Sequence, residues 1–167
     1  KWKFVGEIHH KMLCIDNYNN KKINMKDFCS DEKYYLVSTS FGNRNNNPLK
    51  FLNDAQKLEK QFFDTLVDDE YNLNARSAFY AGQSYHDHGD YEKALKWYSL
   101  YTKLQNIWIE EEYECYLTIS KCMIELKYNI NDILKNISKC INIFKDKAEH
   151  HDLIGDYYLK YEMYNLA

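Results

Sequence analysis

A chain of 167 residues, 45% hydrophobic and 28% charged, has enough apolar mass for a core and an ordinary globular balance. A net charge of −3 supplies no basic stripe, which excludes nucleic acid as an expected partner; no apolar run approaches the roughly 18 residues of a membrane span. One proline and five glycines are too few for the many turns of an all-β architecture, so a mainly α fold is expected.

Residues 1–40 are nonetheless β-flavoured. Trp2, Phe4 and Ile8 share one phase of a strand over residues 2–9, and Tyr35-Leu36-Val37-Ser38-Thr39 predicts a second strand over 34–40. Residues 42–48 are a polar loop, and Asn47-Pro48 is a helix-start signal with Asn47 at the N-cap. The helix that follows is expected to run to about Leu66, with Leu52, Ala55, Leu58, Phe62 and Leu66 as its apolar stripe. Residues 77–104 predict two helices joined at His88-Gly89-Asp90. Ala78, Ala81, Gly82 and Tyr85 face Tyr91, Ala94, Tyr98 and Tyr101. Gly89 stands where a left-handed cap is needed and Asp90 where the next helix takes its N-cap. A further pair follows, with Tyr113, Tyr116, Ser120 and Met123 on one helix and Ile133, Ile137, Ile141 and Phe144 on the next. Leu153, Gly155, Tyr157 and Tyr158 open another helix.

The hairpin over 77–104 resembles the tetratricopeptide repeat, a helix-turn-helix unit of about 34 residues. Gly82, Tyr85, Gly89, Tyr91, Ala94 and Tyr98 stand in that family's spacing. Tyr101 replaces its small residue late in the second helix. The pattern Gly82-x2-Tyr85-x5-Tyr91-x2-Ala94 returns 73 residues later as Gly155-x2-Tyr158-x5-Tyr164-x2-Ala167. That distance is about two repeats, and stacked repeats bury faces that no single unit can bury. The expected fold is therefore a tetratricopeptide-like helix-hairpin superhelix over 46–167, preceded by a short β-hairpin segment over 1–45.

The order of features resembles the end of a family-2-type glycosyltransferase catalytic domain followed by such repeats. Trp2-x3-Gly6-x2-His9 fits the family's late strand. Gly42-Asn43-Arg44, Pro48, Phe51, Asp54-Ala55 and Leu58-Glu59 fit its turn and following helix. Two positions depart: His10 stands where the family has glutamate, and residues 35–40 carry no histidine. The resemblance implies a sugar-nucleotide-dependent glycosyltransferase whose helical tail positions an acceptor or a partner. It implies a divalent metal, Mn or Mg, and a nucleotide sugar, with His9 as a metal or diphosphate contact. The nucleotide-sugar half, with its Asp-x-Asp motif, does not lie in these residues, so this chain alone is expected to be non-catalytic. The chain opens strand-like without a methionine and closes inside a helical pattern, and a piece of a longer polypeptide is expected. The alternative is a non-enzymatic tetratricopeptide scaffold that binds peptides or protein partners.

For either alternative the groove wall comes from the first helix of each pair, and Arg76, Gln83, Tyr85 and His86 are the candidate contacts for a peptide or a glycan acceptor. His86, Asp87, His88 and Asp90 have the composition of a metal cluster but occupy a helix turn, where polar residues are normal. Five cysteines (Cys14, Cys29, Cys115, Cys122, Cys140) form no Cys-x-x-Cys pair, as expected of reduced, buried thiols in a cytoplasmic protein. Asn136-Ile137-Ser138 is a glycosylation sequon that falls inside a predicted helix and is read as chance.

Overall fold

The computed structural model describes residues 2–8, 11–14, 47–69 and 73–161. The protein is mainly helical. Trp2–Val5 (β1) and Lys11–Cys14 (β2) form an antiparallel pair in which Trp2 lies opposite Cys14 and Val5 opposite Lys11. Six helices follow among the described residues: Lys50–Asp64 (α1), Leu73–His88 (α2), Tyr91–Tyr101 (α3), Ile109–Glu125 (α4), Ile130–Ile143 (α5) and Glu149–Lys160 (α6). Each helix packs on its neighbours in sequence; α2 also touches α4, and α4 touches α6.

Two expectations about element ends are corrected. The strand expected over 2–9 stops at Val5, because Gly6 takes a φ of 103° and turns the chain out of the ladder. The helix expected from Pro48 begins at Lys50, with no side-chain cap at Leu49. Asn47 instead closes a turn ahead of it: its Oδ1 accepts from the Leu49 N–H at 2.9 Å and its carbonyl from the Lys50 N–H at 3.0 Å. At the other end the helix closes at Asp64, which leaves Leu66 beyond the stripe and 58% exposed. The strand expected over 34–40, His9, His10, the Gly42-Asn43-Arg44 turn and the echo residues Tyr164 and Ala167 lie outside the described residues.

The turn between α2 and α3 is built as its sequence demands. Gly89 has a φ of 88°. Its N–H donates to the His86 carbonyl and the Asp90 N–H to the Tyr85 carbonyl, both at 2.9 Å. This pairing closes a helix on a left-handed residue. Asp90 then caps α3 by accepting from the Lys93 N–H at 3.1 Å. The same bond pattern ends α4, where Lys127 takes the left-handed place with a φ of 58°. Asn129 caps α5 by accepting from the Asp132 N–H at 3.0 Å.

Ala78, Ala81 and Ala94 are fully buried, and Tyr85, Tyr98 and Tyr101 nearly so. Gly82 lets α2 and α3 approach: a Cβ there would stand 3.0 Å from the Tyr98 ring. Tyr101, the departure from the repeat pattern, holds the next connection in place. Its hydroxyl donates to Glu111 Oε2 at 2.6 Å and accepts from the Trp108 N–H at 3.3 Å. Asn136 ties α5 to α4, with Nδ2 donating to the Tyr116 carbonyl at 2.7 Å and to Ser120 Oγ at 2.8 Å. The amide of the sequon is thus buried in the core. Cys115, Cys122 and Cys140 are buried free thiols. Burial pushes Cys122 up to about 12 and Cys140 up to about 11, which keeps both protonated and unreactive.

Candidate functional site

The polar cleft of interest lies where the start of α1 meets the end of α2. The two helices run antiparallel, and each contributes three residues at the same spacing: Lys50, Phe51 and Asp54 from α1, Gln83, Ser84 and Asp87 from α2. Among the described residues Ile8, in the bend after β1, also lines it, and the cleft holds about 280 Å³. Spacings of one and four place each set on adjoining strips of one helix face. Asp54 and Ser84 are buried at 8% and 4% exposure, while Gln83 and Asp87 are exposed. The Lys50 ammonium lies 4.8 Å from the centre of the Phe51 ring.

The wall carrying Ile8 is held by a buried polar chain. Gln61 Oε1 accepts from the Glu7 N–H at 2.6 Å, and Gln61 Nε2 donates to Ser77 Oγ at 2.5 Å. The Ser77 hydroxyl donates on to the Leu73 carbonyl at 2.6 Å. Gln61 is thereby satisfied at both ends, as a buried amide must be. It joins the strand segment to both α1 and α2.

Two charges at the cleft oppose the fold. Lys50 is the first residue of α1 and Asp87 stands in the last turn of α2. A helix N-terminus favours an anion and a C-terminus a cation, so each charge carries the less favourable sign for its position.

The four groove residues expected from sequence are separated. Gln83 lines the cleft. Arg76, two turns earlier, stacks its guanidinium 4.7 Å from the centre of the Tyr80 ring. His86 sits against Tyr91 on the α3 side, with Nδ1 3.6 Å from Asp87. Tyr85 is 1% exposed, and Lys93 covers its ring. Burial and the Glu59 carboxylate to which it is hydrogen-bonded raise its hydroxyl well above the ordinary tyrosine range. Glu59 also accepts from the Trp97 indole at 2.8 Å, tying α1 to α3.

Sequence reasoning missed Lys50, Ser84 and the cleft roles of Asp54 and Asp87. One signal was present: Asp54 adjoins the fully buried Ala55. A carboxylate that close to an apolar stripe must be partnered or used. Among the described residues no group of three or more His, Cys, Asp or Glu is arranged to hold a metal ion. No described helix is long and apolar enough to cross a membrane. Comparison with family models, curated proteins and solved structures finds no match.

Proposed function

We propose that the chain is the C-terminal portion of a sugar-nucleotide-dependent glycosyltransferase acting in the cytoplasm, with a tetratricopeptide-like tail that positions the acceptor or a partner. The observation that carries this reading is the seam at Gln61. The segment bearing Trp2, Gly6 and His9 is the part that resembles the end of a catalytic domain. Its Glu7 N–H is bonded through Gln61 to the α1–α2 pair. A tail that orients an acceptor needs such a rigid joint to the domain it serves. The repeat reading is supported by the glycine-closed α2–α3 turn, the close approach at Gly82 and the serial contacts of α2, α4 and α6. In the intact enzyme a nucleotide sugar and Mn or Mg would act outside the described residues, with His9 as a diphosphate or metal contact.

The test uses the full polypeptide that carries this chain, supplied with nucleotide sugars and Mn or Mg. Breaking the seam with Gln61→Ala is expected to raise KM for the acceptor by about tenfold while donor hydrolysis persists. Absence of any transfer or hydrolysis by that polypeptide would remove the enzyme. The second reading, a scaffold for a peptide or protein partner, would then stand. It is favoured by a cleft whose described lining comes from α1 and α2 together with Ile8.

A further inference from the structure

Exposed apolar residues gather at one end of the helix stack. Phe63, Leu66 and Val67 stand at and just beyond the close of α1, and Trp108 and Ile109 at the start of α4. Val67 is 97% exposed and Trp108 62%. Apolar residues scattered singly are ordinary on a protein surface, whereas clusters rimmed by polar residues mark contact surfaces.

Bonds and ring contacts place the two clusters at the same end. Asn74, in the first turn of α2, donates from Nδ2 to the Phe62 carbonyl at 3.0 Å. The Phe63 ring lies 6.3 Å from the Trp97 ring. Trp97 is one turn ahead of Tyr101 on α3, and the Tyr101 hydroxyl accepts from the Trp108 N–H at 3.3 Å. The last turns of α3 thereby join the cluster on α1 to the cluster on α4.

Charge narrows the occupant. Asp64, Asp68 and Asp69 accompany the first cluster, and Glu110, Glu111 and Glu112 follow the second. Two of these acids serve the fold: Asp69 accepts from the Asn74 N–H at 3.0 Å, and Glu111 from the Tyr101 hydroxyl at 2.6 Å. Asp64, Asp68 and Glu110 are exposed. The cations nearest them along the chain are Lys60, Arg76 and Lys103, of which Arg76 lies over the Tyr80 ring. An apolar surface thus sits in a negative field. A second copy of the chain would bring these acids against themselves, and an anionic lipid surface would be repelled. A protein segment whose apolar residues are flanked by Lys or Arg complements both features.

We infer that this end of the stack is a docking surface for a basic amphipathic segment of another protein. Phe63 and Trp108 are its aromatic anchors, and Asp64, Asp68 and Glu110 orient the bound segment. Docking here needs neither a sugar nor a catalytic domain, so a failed transfer assay leaves it standing and a failed docking assay leaves the enzyme reading standing.

The experiment is fluorescence anisotropy of residues 1–167 with a fluorescein-labelled amphipathic helical peptide of leucine and lysine. Its twin with glutamate for lysine, and a scrambled peptide of the same composition, are the counter-probes. The amphipathic lysine peptide is expected to bind about tenfold or more tightly than either. Val67→Ser and Trp108→Ser are each expected to weaken it by about tenfold, and Asp68→Lys to weaken it and flatten its salt dependence. Both apolar side chains are exposed, and Trp108→Ser supplies α4 with the side-chain cap it lacks, so unchanged thermal melts accompany the loss. Leu159→Ser, an exposed apolar position on α6, is expected to bind as the wild type does. Equal binding of the lysine and glutamate peptides, indifference to Val67→Ser and Trp108→Ser, or an equal loss in Leu159→Ser would overturn the inference. Sedimentation equilibrium and flotation with phosphatidylserine vesicles read the other occupants. A dimer, or vesicle capture, that Trp108→Ser abolishes would also overturn it.

Discussion

Gly82 and Gly155 stand at the same place in the internal sequence echo, 73 residues apart, and their surroundings differ. At Gly82 the Tyr98 ring is so close that a Cβ would lie 3.0 Å from it; at Gly155 no neighbouring atom of the described residues lies within 4 Å of that point. The first glycine is a packing device, through which α3 closes on α2. The second is a half-buried position on α6 with room for a Cβ among the described residues. Among the described residues the close helix crossing is formed at Gly82, where α3 covers α2.

That contrast sets the largest expected effect. Gly82→Leu should cost about 3 kcal/mol, because the side chain must displace a Tyr98 that is itself 2% exposed and packed edge-on against Phe79. Gly155→Ala should stabilise by about 1 kcal/mol through helix propensity alone. Paired urea titrations decide it. Equal effects of one sign would mean that both glycines are packed alike.

A next contrast lies between the two ways α4 and α5 are joined, by apolar stripes and by Asn136. Asn136→Ala removes the buried bonds to the Tyr116 carbonyl and to Ser120 Oγ and should cost about 2 kcal/mol in the same titration. If Asn136→Ala is silent, the α4–α5 pair is held by Ile133 and Ile137 alone.

The two helix-closing turns give a smaller pair of opposite sign. Gly89→Ala forces an L side chain into a φ of 88° and should lose about 1 kcal/mol. Lys127→Gly relieves the same conformation and should gain about as much. Thermal melts of both variants against wild type read the signs directly.

The subtlest difference between the ends of the stack is in pH. His150, in the first turn of α6, is fully buried. Its Nδ1 lies 3.1 Å from the Tyr113 hydroxyl, and Nε2 has no partner among the described residues. Burial and the neighbouring His151 lower its pKa below 6.5, while Glu149 opposes them. Of the groups facing it, Tyr113 comes from α4, and Glu149 and His151 come from α6; Lys147, between α5 and α6, lies over the Tyr113 ring. A histidine with a lowered folded pKa binds its proton more readily when released. Its contribution is therefore complete above about 6.5 and declines as pH falls through that value. Protection factors in α6, corrected for the intrinsic exchange rate, should fall below pH 6.5 while those of α2 and α3 hold, and His150→Phe should remove the difference. A uniform fall in protection across all helices would show that His150 has no local role.

Much of the helical part was legible because local chemistry and packing agree there. Ala78, Ala81, Tyr85, Ala94 and Tyr98 recur at helical spacing, and Gly89 and Asp90 are the residues their turn requires. The cleft was less legible. Gln83 and His86 are three apart on α2 and look equivalent in sequence, yet one faces α1 and the other α3. That choice belongs to the neighbours and not to the helix. Gln61 was unremarkable among the polar residues of α1, because its two partners, Glu7 and Ser77, lie 54 and 16 residues away.

By itself the sequence determined where helices form, how the α2–α3 turn closes and which stripe of each helix is apolar, since these follow from steric preferences and periodicity within a few residues. Only the tertiary structure decided that Gly82 lies against the Tyr98 ring, that Tyr85 is core, and that Lys50, Asp54, Gln83, Ser84 and Asp87 line one cleft. Such juxtapositions depend on how helices distant in sequence settle against one another, and no local preference encodes them.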